Sequence, residues 1–214
     1  MSKKRLKYLG RNDDSEVEKL NTQLDSQGTV RSCSTVTLLK CPHRNIIVNT
    51  GNPSERDLLP KAFSDQGLKP EDIHYVICVN GHIEQIGNLN LFSGAVQCVG
   101  YDICRHDQYL LHELKEGKPF NIDEDVEIGP TPGHTGNDVL VVVKKANFGV
   151  LAGVGDLFYC EGDLFSLSLW LKKSERPHLQ VQSRYTILEM ADFIIPGHGP
   201  TFKTLMEGGP LCAY

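Results

Sequence analysis

No Cys-x-x-Cys pair and no long apolar run occurs in this sequence. Its seven cysteines, Cys33, Cys41, Cys78, Cys98, Cys104, Cys160 and Cys212, are scattered and odd in number. That scatter argues against a disulfide framework and a thiolate zinc knuckle, both of which cluster their cysteines, and predicts ordinary thiols in a reducing compartment. The longest apolar stretches, Val139–Val143 and Phe148–Val154, fall far short of the roughly 20 residues a membrane-spanning helix needs. No membrane partner is expected. Met1–Leu20 is charged throughout and lacks the apolar core of a secretory signal, so the expected location is the cytosol. Lys3, Lys4, Arg5 and Lys7 form a basic cluster that reads as a solvated tail or as a nuclear-targeting or RNA-contacting segment.

An excess of positive charge is missing too. Lys and Arg number 22 against 27 Asp and Glu, a formal net charge of −5. Binding nucleic acid by overall charge is thereby disfavoured, while a local basic patch stays open. Over 214 residues, 40% hydrophobic and 23% charged content is enough for one packed domain and too apolar for wholesale disorder. Residues 1–28 are polar without apolar periodicity and are predicted to be a flexible segment. A single domain is predicted over 29–214.

The pattern along that domain is β-rich. Thr35–Leu39 and Ile46–Val48 flank a turn-like Cys41-Pro42-His43-Arg44-Asn45 and predict a hairpin. Ser54 and Asp57 resemble a capping box opening a helix toward Gln66, with Pro60 conflicting inside it. Ile73–Val79, Val96–Val99, Val126–Ile128, Asp138–Val143, Phe148–Gly153 and Phe193–Ile195 predict strands. Ile86–Phe92, Asp163–Lys173 and Glu175–Ala191 predict helices. Strands come in two batches, each closed by helices, which suggests an α/β protein of two mixed sheets packed face to face with helices outside.

Four of the strands end in loops of one design, in which a glycine stands beside or near a histidine or an acid. These are Asn80–Gln85, Gly133-His134-Thr135, Gly155-Asp156 and Gly197-His198-Gly199. Polar groups on loops at strand ends are where sites are usually assembled, and adjacent glycine lets a metal or substrate approach the backbone. His43, His74, His106, His112 and His178 lie in no such loop and are expected at the surface. Trp170 is expected in the core, and Arg184 in a surface ion pair or on a phosphate.

Ile47-Val48-Asn49-Thr50-Gly51, Asn80-Gly81-His82-Ile83-Glu84-Gln85, Thr131-Pro132-Gly133-His134-Thr135, Gly155-Asp156 and Pro196-Gly197-His198-Gly199-Pro200 resemble the signature loops of the metallo-β-lactamase fold. The resemblance spans roughly residues 29–205. It implies a four-layer αββα sandwich with a binuclear metal centre at one edge, and a hydrolase. For the subfamily that the Gly87–Phe92 tail and the Pro-Gly-His-Gly-Pro ending resemble most, it implies an endoribonuclease acting on histone pre-mRNA 3′ ends, in cytosol or nucleus.

The chain departs from that pattern. Where the family has His-x-His-x-Asp-His, this sequence has Asn80, His82, Glu84 and Gln85, and the family's Asp before Thr-Gly is Asn49. The implied metal ligands are then His82, His134, Asp156 and His198, with Glu84 as a doubtful fifth, and Asp156 and His198 as the catalytic pair. Amide oxygens at Asn80 and Gln85 are weak zinc ligands, and Asn49 lacks the charge that would orient a ligand. One zinc ion is expected rather than two, with iron or manganese as substitutes, and slow turnover on RNA or a small ester or phosphodiester. A homodimer is the assembly considered. The rival reading is a non-catalytic binding or regulatory protein on the same fold.

Overall fold

Val139–Val143 is buried at every residue, so both faces of that strand must be covered by other layers. The computed structural model, which describes residues 5–8, 32–146 and 149–204, shows what covers them. One sheet runs in the order β1 (Arg5–Tyr8), β2 (Thr37–Cys41), β3 (Arg44–Val48), β4 (Tyr75–Cys78), β5 (Val96–Val99), β6 (Asp102–Arg105) and β7 (Gln108–Tyr109). The second runs from β13 (Phe202–Lys203) through β12 (Phe193–Pro196), β11 (Gly149–Gly155), β10 (Val139–Ala146) and β9 (Val126–Pro130) to β8 (Phe120–Asn121). Both are mixed: β3–β4, β4–β5 and β11–β12 are parallel and the other pairings antiparallel.

The period-2 alternation of side chains sorts the core into layers. Ile46, Val48, Ile77 and Val79 of the first sheet meet Val139, Val141, Val143 and Leu151 of the second in one cluster between the sheets. Leu38, Ile47, Val76 and Cys78 face outward onto Leu59 and Phe63 of α1 (Leu58–Ser64). Leu140, Val142, Ala152 and Ile194 face the other way, onto Ile187 and Leu188 of α3 (Pro177–Met190). The result is the αββα sandwich. A short α2 (Ile83–Ile86) follows β4 on its way to the site.

α3 shows how a helix can pack firmly on a weak apolar pattern. Pro177 starts it, where a missing N–H costs nothing. Its buried stripe is Gln180, Arg184, Ile187 and Leu188, spaced i, i+4, i+7, i+8, and half of that stripe is polar. The polar half is satisfied by loop carbonyls. Gln180 Nε2 donates to Asp156 O and Leu157 O, and Arg184 donates to Leu157 O and Asp163 O. The Arg184 guanidinium lies over the Phe158 and Trp170 rings at 3.9 and 4.7 Å and 3.6 Å from Asp163 Oδ2. Arg184 is therefore a buried structural cation, not the surface or phosphate-binding group expected. Trp170 is fully buried, as expected.

Other expectations shift. The Ser54–Gln66 helix is instead a 3-10 turn, Pro53–Glu55, followed by α1. Glu55 Oε2 accepts the Asn52 N–H, so the cap sits two residues earlier than Ser54. Pro60 falls in the first turn of α1, where backbone N–H groups have no helical partner, so no kink results. The 163–173 stretch is three short 3-10 turns rather than one helix. Asp163 turns its side chain inward to accept the Tyr159 N–H, which interrupts helical progression there. His43, His74, His106 and His178 are exposed, and His112 is half-buried with Nδ1 accepting the Leu114 N–H. Within 1–28 only Arg5–Tyr8 is described, as an edge strand on β2; the remainder of that expectation lies outside the described residues. No helix among the described residues is long and apolar enough to cross a membrane.

Burial pushes the Asp163 carboxyl up to about 6, against the pull of Arg184. An Asp whose folded pKa exceeds its ordinary value of about 3.9 stabilises fully below that value and loses the contribution as pH rises through the folded pKa. Arg184→Leu leaves Asp163 unpaired and is expected to cost about 3–5 kcal/mol in urea denaturation near pH 8. The cost should shrink near pH 5, where the stranded carboxyl is neutral, and a pH-independent cost would contradict this account.

Candidate metal centre

The loops that end β4, β9, β11 and β12 converge at one edge of the sandwich. β11 ends in Gly155, whose φ of +53° is left-handed and whose Cβ, if present, would lie 2.1 Å from Val79 Cγ2. Only glycine turns there, and the turn delivers Asp156 to the seam between the sheets. Backbone bonds cross the same seam: Val139 N–H donates to Val79 O at 2.9 Å, and Thr35 N–H to Gly197 O at 2.6 Å.

Asp156 is 1% exposed and is the hub. On its Oδ2 side lie Asn80 Nδ2 at 3.2 Å, Gln85 Nε2 at 3.1 Å, His134 Nε2 at 3.4 Å and His82 Nδ1 at 3.7 Å. Oδ1 has His198 Nε2 at 2.8 Å and Gln85 Nε2 at 3.2 Å. Burial works against the carboxylate, but His198, His82 and His134 together hold its pKa well below the ordinary range. Burial also lowers His134, against Asp156. His82 is raised, chiefly by its hydrogen bond to Asp156. For His198, burial pulls down and Asp156 with the Cys33 carbonyl pulls up, and the upward pull prevails.

Two groups of side chains could hold an ion: His82, His134 and Asp156, and Glu84, Asp156 and His198. In the first, Nδ1 of His82 and Nε2 of His134 are 3.2 Å apart, and each lies 3.7 and 3.4 Å from Asp156 Oδ2. Tetrahedral coordination with bonds of about 2.0–2.1 Å places ligand atoms about 3.3–3.4 Å apart. The triad fits. One imidazole of each group is braced at its far nitrogen, as ligand imidazoles usually are. His134 Nδ1 meets Tyr159 Oη at 3.3 Å, and His198 Nδ1 meets Cys33 O at 2.7 Å. His198 Nε2 is fully buried, lies 2.8 Å from Asp156 Oδ1 and has no aligned hydrogen bond among the described residues.

Every residue expected at the site except Asn49 has its side chain in or beside this cluster. Asn49 adopts φ 61° at the end of β3, accepts the Val79 N–H at Oδ1 and donates from Nδ2 to Thr35 O. It fixes the strand end that launches the 80–85 loop, a structural role that the sequence did not indicate for that position.

Three contributors escaped the sequence. Tyr159 stacks on His198 with centroids 5.1 Å apart, and Lys173 Nζ lies 4.1 Å from the centroid of the Tyr159 ring. Asp138 shapes the His134 loop by accepting N–H bonds from Gly133 and Thr135 and the Thr135 hydroxyl. Gln180 holds the Asp156 backbone from α3. The Thr135-x-x-Asp138 spacing was a readable turn signal. Nothing in the sequence marked Tyr159 or Gln180.

No family model matches the chain. Among curated proteins, metallo-beta-lactamase domain-containing protein 1 of Xenopus laevis is 42% identical over 175 residues, covering 81% of this chain and 73% of that protein. The Homo sapiens protein of that name is 42% identical over 164 residues, covering 76% of this chain and 60% of the relative, less than two thirds of its length. A "probable metal-dependent hydrolase" of Staphylococcus aureus superposes with a TM-score of 0.68 at 12% identity, over 100% of this chain and 96% of that one. That likeness shows the fold alone.

Gly197 tests the packing around the hub. A Cβ there would sit 2.2 Å from Asp156 Oδ1, whereas one at Gly199 would meet Cys160 Cβ at an ordinary 3.5 Å. Gly197→Ala is expected to lower stability by about 1–3 kcal/mol, and Gly199→Ala to stay within about 0.5 kcal/mol of wild type. Urea denaturation of the pair checks the contrast, and equal costs would show that the carboxylate is not held as described.

Proposed function

The chain belongs to the family of metallo-beta-lactamase domain-containing protein 1, and on that premise we propose that it is a divalent-metal-dependent hydrolase of phosphodiesters or esters. The metallo-hydrolase family implies a divalent ion, and we assign zinc, with His82, His134 and Asp156 as its ligands. The observation that carries this reading is the spacing of those three ligand atoms, 3.2, 3.4 and 3.7 Å, which matches tetrahedral zinc.

An ion held there supplies Lewis-acid polarisation of the scissile group and a water of lowered pKa. The chain's own residues do the rest. His134 and Asp156 are buried and braced, so their ligand atoms are set before anything binds. His82 is 43% exposed in its side chain and stands at the mouth, so substrate approaches along its side. Asp156 and His198 are the catalytic pair: Asp156 orients the ligand set, and His198 keeps a buried Nε2 against Asp156 Oδ1 with its Nδ1 held by Cys33 O. Among phosphodiesters we place RNA first, with histone pre-mRNA 3′ ends as the substrate that the sequence resemblance brings forward.

A specific observation favours a second reading, a binding or regulatory protein without catalysis. The amides of Asn80 and Gln85 donate to Asp156 from positions where the family has imidazoles. Metal binding separates the two. At zinc about 100-fold above Kd, a ligand that binds only the native state should raise the melting temperature of wild type by about 5–10 °C. His134→Ala should abolish that increment while changing the metal-free melting temperature much less. Chromogenic phosphodiester and short RNA hydrolysis, with zinc, manganese or iron added, completes the test. No zinc increment in wild type would sink the hydrolase reading.

A further inference from the structure

Asn80 and Gln85 are not idle occupants of former ligand positions. Asn80 Oδ1 accepts the His82 N–H at 3.0 Å, which fixes the amide so that Nδ2 faces Asp156 Oδ2 at 3.2 Å. The Gln85 backbone carbonyl accepts both the Thr50 N–H and the Thr50 hydroxyl, anchoring the residue at the end of β3. Its side chain, fully buried, places Nε2 3.2 and 3.1 Å from the two oxygens of Asp156, astride the carboxylate. Gln85 Oε1 is left buried with no hydrogen-bond partner among the described residues. Turned the other way, the amide would press oxygen against oxygen. The packing tolerates a stranded carbonyl in order to aim the N–H at Asp156.

A carboxylate shared by two ions gives each ion one oxygen. In this chain Oδ2 faces His82 and His134, and Oδ1 faces His198. The second half-site, Glu84 with Asp156 and His198, would need lone pairs of Oδ1 that Gln85 Nε2 shares. The positive end of an amide dipole stands there, and it repels a cation while attracting the carboxylate. Amide N–H groups reach Oδ2 as well, but the first half-site offsets them with two imidazoles, whereas the second has His198 alone beside its carboxylates. Carrying no net charge, it also leaves the first half-site without a neighbouring ion to compete for Asp156.

We propose that the Asn80 and Gln85 carboxamides replace a second metal ion: they clamp Asp156 through N–H donors, aim it at His82 and His134, and restrict the centre to a single divalent ion. The inference rests on the metal-binding reading above for its stoichiometry. Asn80 and Gln85 are positioning residues, acting through Asp156.

The test counts zinc per chain by elemental analysis after dialysis and measures melting temperature with and without zinc, on the full chain. Wild type should retain one zinc. Gln85→Met keeps the length and removes the donors, so it should melt about 3–10 °C lower without metal. With saturating zinc that gap should shrink, because the ion takes over the hold on Asp156. Gln85→His returns a ligand to Glu84, Asp156 and His198 and should raise the count from one to two. Should Gln85→Met fail to fold, Asn80→Ser, which removes one of the N–H contacts, reads the same comparison. Two zinc ions in wild type would overturn the proposal outright, as would Gln85→Met melting like wild type without metal or Gln85→His staying at one. A wild type that takes no zinc, while Gln85→Met still loses metal-free stability, would remove the hydrolase reading and leave the amide clamp standing.

Discussion

A carboxylate withdrawn from water at the seam of two sheets is the constraint on which the rest of this architecture turns. An ionised group at 1% exposure is costly unless donors replace its hydration. For Asp156 the compensation comes from both sides. The Asn80 and Gln85 amides donate from the first sheet, with the His82 ring near Oδ2, while the rings of His134 and His198 approach from loops of the second. The two sheets must therefore stay within hydrogen-bond reach at this edge, and glycine at 155 and 197 lets them close to that distance. Elsewhere they are held apart by the ordinary thickness of interdigitating side chains.

The same constraint explains why polar groups appear on the inner faces of otherwise apolar elements. Gln180 and Arg184 occupy half the buried stripe of α3 because the chain after Asp156 turns without strand or helix hydrogen bonds. Loop carbonyls at 156, 157 and 163 must be satisfied, and α3 supplies the donors. Arg184 then stacks on Phe158 and Trp170, so a cation fills space that an aliphatic residue would fill in a purely apolar core. Stability and site geometry are coupled through this helix.

What could be read from the sequence follows from how local each signal is. Val139–Val143 and Ile73–Val79 announced themselves as strands because burial on both faces demands unbroken apolar runs. The two-residue strands 108–109, 120–121 and 202–203 carry no pattern and exist only through their partners' hydrogen bonds. Leu164, Leu167 and Leu171 suggested a helix, but tertiary demands on Asp163 broke it into turns. His82, His134, Asp156 and His198 were legible as glycine-flanked loop residues. Tyr159 was not, because its contribution depends on stacking against a residue 39 positions away, which no spacing encodes.

The amides show most clearly where spacing alone stops. In sequence, Asn80 and Gln85 register as absences, ligand positions that have lost their imidazoles. Decay of a buried site leaves polar groups stranded, since nothing selects partners for them. Here three N–H contacts from two amides land on one carboxylate; Asn80 is satisfied at its other end by His82 N–H, while Gln85 Oε1, alone of the polar atoms of these two amides, has no partner among the described residues. An imidazole at these positions would offer a lone pair to a cation, whereas a carboxamide offers a proton to an anion. The group that faces Asp156 from these positions is thus a proton donor, at 3.1–3.2 Å. The carboxylate stays compensated either way, from an ion in one case and from amide dipoles in the other. The amide contacts to Asp156 belong to the residues present and are made without any ion.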